Sequence, residues 1–201
     1  DPFSIAGMNI TAPGEGDIWV INTERVLEWS SSGVENKLWL YYSVDDGNTW
    51  TLFENPNTID GTFPNTDGDN SATITIPDAP SATARFEFQE ALDNPELALT
   101  EVSKRFNMAG IRIDRPTADT QWPIRDEQFI EWQSGSVGNN VTFSYSIDQG
   151  NTWYEFVSQI SLAAGRITWR PSSYLDKAGF EMRPTVGARI RMEAEDPPDL
   201  N

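Results

Sequence analysis

The 201-residue chain has no cysteine and no histidine. Without thiols there are no disulfides, no thiolate metal sites and no cysteine nucleophile. Without imidazole there is no Ser-His-Asp triad, no histidine metal ligand and no use of the commonest general base. Positive charge is scarce as well. Fourteen Lys and Arg stand against 31 Asp and Glu for a net charge of −17, and Lys37, Lys104 and Lys177 are the only lysines. Such a surface repels phosphate backbones and anionic headgroups, which excludes general nucleic-acid binding and attachment to an anionic membrane surface. No apolar run approaches the roughly 18 residues of a spanning helix. A mature secreted chain carries no signal peptide, and none is visible here. An acid-rich, lysine-poor composition suits a saline or extracellular setting, where salt screens self-repulsion.

Aromatic mass, by contrast, is ample. Eight Trp, ten Phe and five Tyr can fill the cores of two domains of about 100 residues. Thirteen Pro and 14 Gly punctuate short segments, which favours strands over long helices.

The chain contains itself twice. Trp19, Trp29 and Trp50 match Trp122, Trp132 and Trp153, each at an offset of 103. Leu27-Glu28-Trp29 matches Ile130-Glu131-Trp132, and Ser43–Trp50 matches Ser146–Trp153 at the same offset. Further on, Ile74-Thr75-Ile76-Pro77 meets the Ile167–Pro171 segment at an offset of about 93, and Ala84-Arg85-Phe86 meets Ala188-Arg189-Ile190 at 104. Such self-similarity is a duplication. In each half apolar residues alternate, at Leu38, Leu40 and Tyr42 and again at Val141, Phe143 and Tyr145. That is the period of a strand with one buried face. Six or seven such strands per half predict two immunoglobulin-like β-sandwiches in tandem, an all-β fold class. The one short helix expected runs from Ser172 to Gly179, with a Ser cap and a closing Gly.

The order of Ile-rich strand, Gly/Pro turn, Trp, Leu-Glu-Trp, Tyr-Ser-x-Asp-x-Gly-Asn-Thr-Trp and Ile-Thr-Ile-Pro resembles the Ig-like repeats of secreted microbial surface proteins. The Ser-x-Asp-x-Gly-x-Thr-Trp segment is itself similar to the Asp-box hairpin of sialidase propellers and of unrelated β domains. A propeller needs four or more blades at roughly 40–50-residue spacing, so two boxes 103 residues apart do not make one. The resemblance implies a structural role for Asp45, Gly47 and Trp50 and for Asp148, Gly150 and Trp153.

The phase of the repeat points to assembly. Domain 1 is expected to span residues 8–110 and end in a strand over Leu97–Gly110, with Arg105–Gly110 as its closing segment. Domain 2 spans 111–201, and nothing in it matches Ala98–Gly110. Pro2–Gly7, however, matches Arg105–Gly110 at the offset of 103. The chain is therefore expected to open on a last strand without a domain and to close on a domain without a last strand. Phe3, Ser4, Ile5, Ala6 and Gly7 form the predicted polymerisation strand, which would complete domain 2 of a neighbouring copy. This is β-strand addition, and a head-to-tail contact of this kind does not close. The alternatives are closure of the groove by Pro197–Asn201, or a two-repeat piece of a longer array whose next strand arrives through a peptide bond.

Other residues carry expectations of their own. Asp60, Asn65, Asp67 and Asp69 crowd oxygens around glycines in a domain 1 insertion, as a Ca²⁺ site does, although the spacing departs from the EF-hand loop; a solvated turn is the alternative. Residues 1–110 hold five bases and 18 acids, net −13, whereas residues 111–201 hold nine and 13, net −4, so domain 1 is the place for calcium. Trp39 and Tyr41 face away from Leu38 and Leu40 and mark a contact surface for protein or surface glycans, unless the insertion covers them. Asn9 and Asn140 fit the N-glycosylation triplet. No carboxylate pair is singled out for glycoside hydrolysis. The expected function is a non-enzymatic, cofactor-free, extracellular filament subunit that takes itself as partner. The alternative is an adhesive or carbohydrate-binding module pair of a surface protein.

Overall fold

A computed structural model describes residues 5–171 and 184–195. The helix expected over Ser172–Gly179, the strand residues Phe3 and Ser4, and the Pro197–Asn201 segment lie outside the described residues. The chain divides into two units, Asp1–Ala109 and Gly110–Asn201.

Unit 1 is a sandwich of two sheets. Strands β1 (Gly7–Ala12), β3 (Glu24–Ser32) and β6 (Gly68–Thr75) form one sheet in the order β1-β3-β6. The other contains β2 (Ile18–Val20), β4 (Leu38–Ser43), β5 (Thr51–Phe53), β7 (Ser81–Glu90), β8 (Thr100–Val102) and the start of β9 (Phe106–Arg115). Its central pairs are β5-β4-β7-β9, with β8 also on β7 and β2 parallel to β9. Alternation marks β7, where Ala84, Phe86 and Phe88 are buried and the residues between them are half-buried. These pack with Trp19, Leu27, Trp29, Leu38, Leu40, Phe63, Phe106 and Met108 into one core.

Unit 2 repeats this plan. Residues 110–115 of β9 pair with β10 (Gln128–Gly135), which pairs with β13 (Arg166–Trp169). The facing sheet is β12-β11-β14, from Tyr154–Ser161, Asn140–Ser146 and Arg189–Ala194. Registers coincide between the units. Gly7 pairs with Ser32 as Gly110 pairs with Gly135, and Ile10 pairs with Trp29 as Ile113 pairs with Trp132. Tyr42 faces Phe86 as Tyr145 faces Ile190.

The structure corrects three sequence expectations. The repeat in sequence sets Ile74 against Ile167. In the structure Ala72 holds that place, facing Leu27 as Ile167 faces Ile130, and Ile74 corresponds to Trp169. A shift of two leaves every side chain on its original face, so the hydrophobic pattern tolerates either register. The Leu97–Gly110 strand is interrupted. A 3-10 turn covers Pro95–Leu97, β8 ends at Val102, and the buried Ser103 breaks the ladder, its hydroxyl donating to Lys104 O and accepting from Phe86 N–H. Gly7, assigned to the polymerisation strand, belongs to β1 of its own unit, because its partner is Ser32.

Candidate functional site

In unit 1 the start of β9 fills a slot between β7 and β2. Phe106 and Met108 are fully buried. The Phe106 ring stacks on Phe86 at 5.0 Å and meets Trp19 edge-on at 5.5 Å. Backbone bonds fasten the strand on the β2 side: Gly16 N–H donates to Arg105 O at 2.9 Å, Asn107 N–H to Asp17 O at 2.8 Å and Ile21 N–H to Ala109 O at 2.9 Å.

Unit 2 carries the same slot, and no described strand lies in it. Among the described residues β14 pairs with β11 alone, whereas β7 has β4 on one edge and β8 and β9 on the other. A groove of about 1030 Å³ follows this edge of β14. Trp122, Ile124, Tyr145, Trp169, Ala188 and Ile190 are among the residues that line it. Trp122 and Ile190 stand where unit 1 has Trp19 and Phe86. Trp19, Phe86 and Ala84 are 7%, 0% and 0% exposed, while Trp122 and Ile190 are half-buried and Ala188 is exposed. Trp122 meets Trp169 edge-on at 5.9 Å, and its indole N–H is buried without a hydrogen-bond partner among the described residues. An apolar slot beside an unpaired strand edge is what an extended segment with alternate apolar side chains fills.

Of the predicted polymerisation strand, Ile5, Ala6 and Gly7 are described. Ile5 is 77% exposed. Ala6 is exposed and lies against Gly33 of its own unit, where a methyl placed on that glycine would stand 3.2 Å from the Ala6 Cβ. Pairing within unit 1 begins at Gly7, just as the first strand of unit 2 begins at Gly110.

The two Ser-x-Asp-x-Gly-x-Thr-Trp hairpins close themselves locally. Asp45 accepts from the Thr49 hydroxyl at 2.7 Å, the Thr49 N–H at 2.8 Å and the Ser43 hydroxyl at 2.7 Å. These bonds, the Thr49 hydroxyl foremost, hold its carboxyl below the usual carboxylate range. Asp148 is lowered likewise, chiefly by the Thr152 N–H at 2.8 Å and the Ser146 hydroxyl at 2.7 Å. Gly47 and Gly150 have φ of +88° and +93°, and Trp50 and Trp153 lie across them, a conformation that costs other residues strain. These hydrogen bonds occupy both carboxylates in holding the turns.

The four candidate calcium ligands are kept apart by other bonds. Asp60 accepts from Lys37 Nζ at 2.6 Å and from Thr62, and both pull its carboxyl below the usual range, Lys37 most. The Asn65 amide oxygen takes the Trp29 indole N–H at 2.8 Å and the Ser31 hydroxyl at 2.7 Å. Asp67 takes Gly33 N–H at 2.7 Å, and Asp69 sits in β6 opposite Ser30. Among the described residues no group of three or more acidic side chains could hold a metal ion. The insertion is a structural loop that pins β3, with Asn65 as its anchor.

Trp39 and Tyr41 are half-buried, not bare. A methyl at Gly61 would stand 3.6 Å from the Trp39 ring, so the insertion lies on it. Asn9 is exposed on β1 and Asn140 is half-buried at the start of β11. A charge cluster not foreseen from sequence lies at the hairpin tips. Asp46 accepts from Arg85 Nε at 2.7 Å and from the Arg105 guanidinium, and Gln149 replaces it in unit 2. Arg105, then Arg85, draws the Asp46 carboxyl down.

The fold these units define is an all-β, immunoglobulin-like sandwich. No protein-family model matches the chain, and no curated protein matches it in sequence. Among solved structures, fibronectin(III)-like modules of Clostridium thermocellum CbhA are similar at 13% identity and a TM-score of 0.30, over 81% of this chain and 78% of that one.

Proposed function

We propose that the chain is a non-enzymatic structural subunit of an extracellular polymer, assembled head to tail by strand donation. The groove beside β14, which no described strand fills, carries this reading, because unit 1 displays the matching groove with its strand in place. A second copy supplies Pro2–Ala6. Phe3 takes the position of Phe106, between Trp122 and Ile190, and Ile5 that of Met108. Gly7 then begins β1 as Gly110 begins the first strand of unit 2. Burial of the two apolar side chains contributes roughly 1.5–3 kcal/mol each, beside the ladder bonds along β14. The exposure of Ile5, at 77%, supports a role outside its own chain. A heterologous contact that does not close yields a filament.

A second reading is favoured by β9 itself, which serves unit 1 up to Ala109 and unit 2 from Gly110 without a linker. In that reading the chain is two repeats of a longer tandem array in a surface adhesin or a carbohydrate-binding pair, and the missing strand arrives through a peptide bond.

Negative-stain microscopy and sedimentation of the full chain separate the two. Strand donation gives filaments from the wild type and folded monomers from Phe3→Asp, which puts an unpaired charge in an apolar slot. Wild-type monomers over the whole accessible concentration range, or filaments from Phe3→Asp, would sink the first reading.

A further inference from the structure

We infer that the outer face of the β5-β4-β7-β8 sheet of unit 1 is a platform for a neutral polysaccharide chain, with Trp39 and Tyr41 as stacking rings and Glu87 and Gln89 as the groups that bond its hydroxyls. The inference uses neither strand donation nor the tandem array and holds under both.

Register lays these side chains out in two rows. Leu52 faces Tyr41, Tyr41 faces Glu87, and Glu87 faces Val102. In the next row Trp39 faces Gln89 and Gln89 faces Thr100. Directly opposed residues share one face of a sheet, and Leu38, Leu40, Phe86 and Phe88 take the other face, in the core. The first row spans three strand spacings, about 14 Å. Leu52 and Val102 at its ends are each 39% exposed, while Trp39, Tyr41, Glu87 and Gln89 are half-buried. The insertion borders the platform at Gly61, beside the Trp39 ring.

The polar tips on this face are uncommitted. Among the described residues the Tyr41 hydroxyl, the Glu87 carboxylate, the Gln89 amide and the Trp39 indole N–H have no hydrogen-bond or ion-pair partner. Burial without a donor pushes the Glu87 carboxyl up. Unit 2 fills the matching positions differently. Thr142 and Ser144 replace the rings, Glu155 replaces Leu52, and Arg191 and Glu193 replace Glu87 and Gln89. There the charges pair within the chain. Arg191 meets Glu193 at 2.9 Å and lies over the Trp153 ring at 4.5 Å, and the Thr142 hydroxyl donates to Glu195 at 2.8 Å. The face of unit 1 offers its bonds outward instead.

Charge and chemistry narrow the occupant. Residues 1–110, with five bases and 18 acids, net −13, repel polyanions. A half-buried carboxylate in the middle of an apolar row is what protein interface cores avoid, since they are depleted in Glu. A sugar ring presents an apolar C–H face to an aromatic ring and hydroxyl donors to a carboxylate or amide. An open sheet face suits an extended chain of such rings better than a single small ligand, which needs a concave site.

Isothermal titration calorimetry of the full chain tests this, with hexasaccharides of the cellulose, xylan and mannan backbones and with the anionic hexamer of galacturonic acid. At least one neutral hexamer should bind, equally at low and high salt, and the anionic one should bind more weakly. Trp39→Thr with Tyr41→Ser, the residues that unit 2 carries at the matching positions, should weaken binding about tenfold or more. Glu87→Gln keeps the shape of the side chain and should weaken it about five- to tenfold, which carries the test if the melting curve shows that the ring variant fails to fold. Arg191→Ala, on the matching face of unit 2, should leave the affinity unchanged. Failure of all three neutral hexamers to bind, tighter binding of the anionic one, or wild-type affinity in the folded ring variant or in Glu87→Gln would overturn the inference. None of these outcomes bears on assembly, which Phe3→Asp tests separately.

Discussion

Phe106→Ala tests whether the β9 segment closes the core of unit 1. The ring is 0% exposed, stacked 5.0 Å from Phe86 and set 5.5 Å from Trp19. Truncating a buried Phe costs about 3–5 kcal/mol, from lost transfer energy and the cavity left behind. The upper half of that range is expected, because each aromatic pair adds about 0.5–1.5 kcal/mol beyond its buried area and a strand held at one edge of the sandwich relaxes poorly around a hole. Urea unfolding followed by tryptophan fluorescence reads it, with four of the eight tryptophans, Trp19, Trp29, Trp39 and Trp50, in unit 1. A midpoint shift at unchanged slope gives the loss directly. A loss under about 1 kcal/mol would refute the packing argument, and with it the inference that Phe3 fills an equivalent slot. If Phe106→Ala behaves as expected, Phe3→Ala should weaken assembly by a comparable free energy. At about 1.4 kcal/mol per tenfold, that is roughly a hundredfold to several thousandfold in the assembly constant.

Asp45 and Asp148 have carboxyls held below the unperturbed value of 3.8. A depressed folded-state pKa contributes stability that is present above the unfolded value and lost as pH falls through the folded one. Melting temperature should therefore drop steeply below about pH 4, and Asp45→Asn should flatten that acid limb for unit 1; an unchanged limb would show that the turn bonds do not set it. Calcium should leave unit 1 unaffected, since Asp60, Asn65, Asp67 and Asp69 each hold a different structural partner or position. A melting temperature that rises with millimolar Ca²⁺ over EGTA would overturn that geometry.

What was legible in the sequence was whatever is encoded locally. The hairpins announce themselves because Ser43, Asp45, Gly47 and Thr49 bond to one another within seven residues. The sandwich is legible because alternation at Leu38 and Leu40 gives the buried face whatever the partner strand. Register was not legible, because a two-residue slide of Ile74 against Ile167 preserves that alternation. Nor was the role of Asn65, which ties together Trp29, Ser31 and Val34 across more than 30 residues. Its amide looks in sequence like one more oxygen in an acidic loop. The exchange of Asp46 for Gln149 lay in plain sight inside the repeated motif. Its meaning required knowing that Arg85 and Arg105 converge on that tip.

Among the described residues the two units share registers yet differ in how deeply the positions around the slot that β9 fills in unit 1 are buried. Where Phe106 and Met108 are present, Trp19, Ala84 and Phe86 are buried; where no described residue takes their place, Trp122 and Ile190 are half-buried and Ala188 is exposed. An occupant that binds only the folded groove stabilises unit 2 by mass action, as RT ln(1 + [L]/Kd). If the occupant comes from another copy, the stability of unit 2 rises with protein concentration while that of unit 1 does not. If it comes through a peptide bond, the effective concentration is fixed, at roughly millimolar or above for a short tether, and both units lose their dependence on dilution. The same groove thus makes unit 2 the concentration-sensitive half of the molecule under strand donation, and unit 1, closed by its own β9, the half that is folded before any partner arrives.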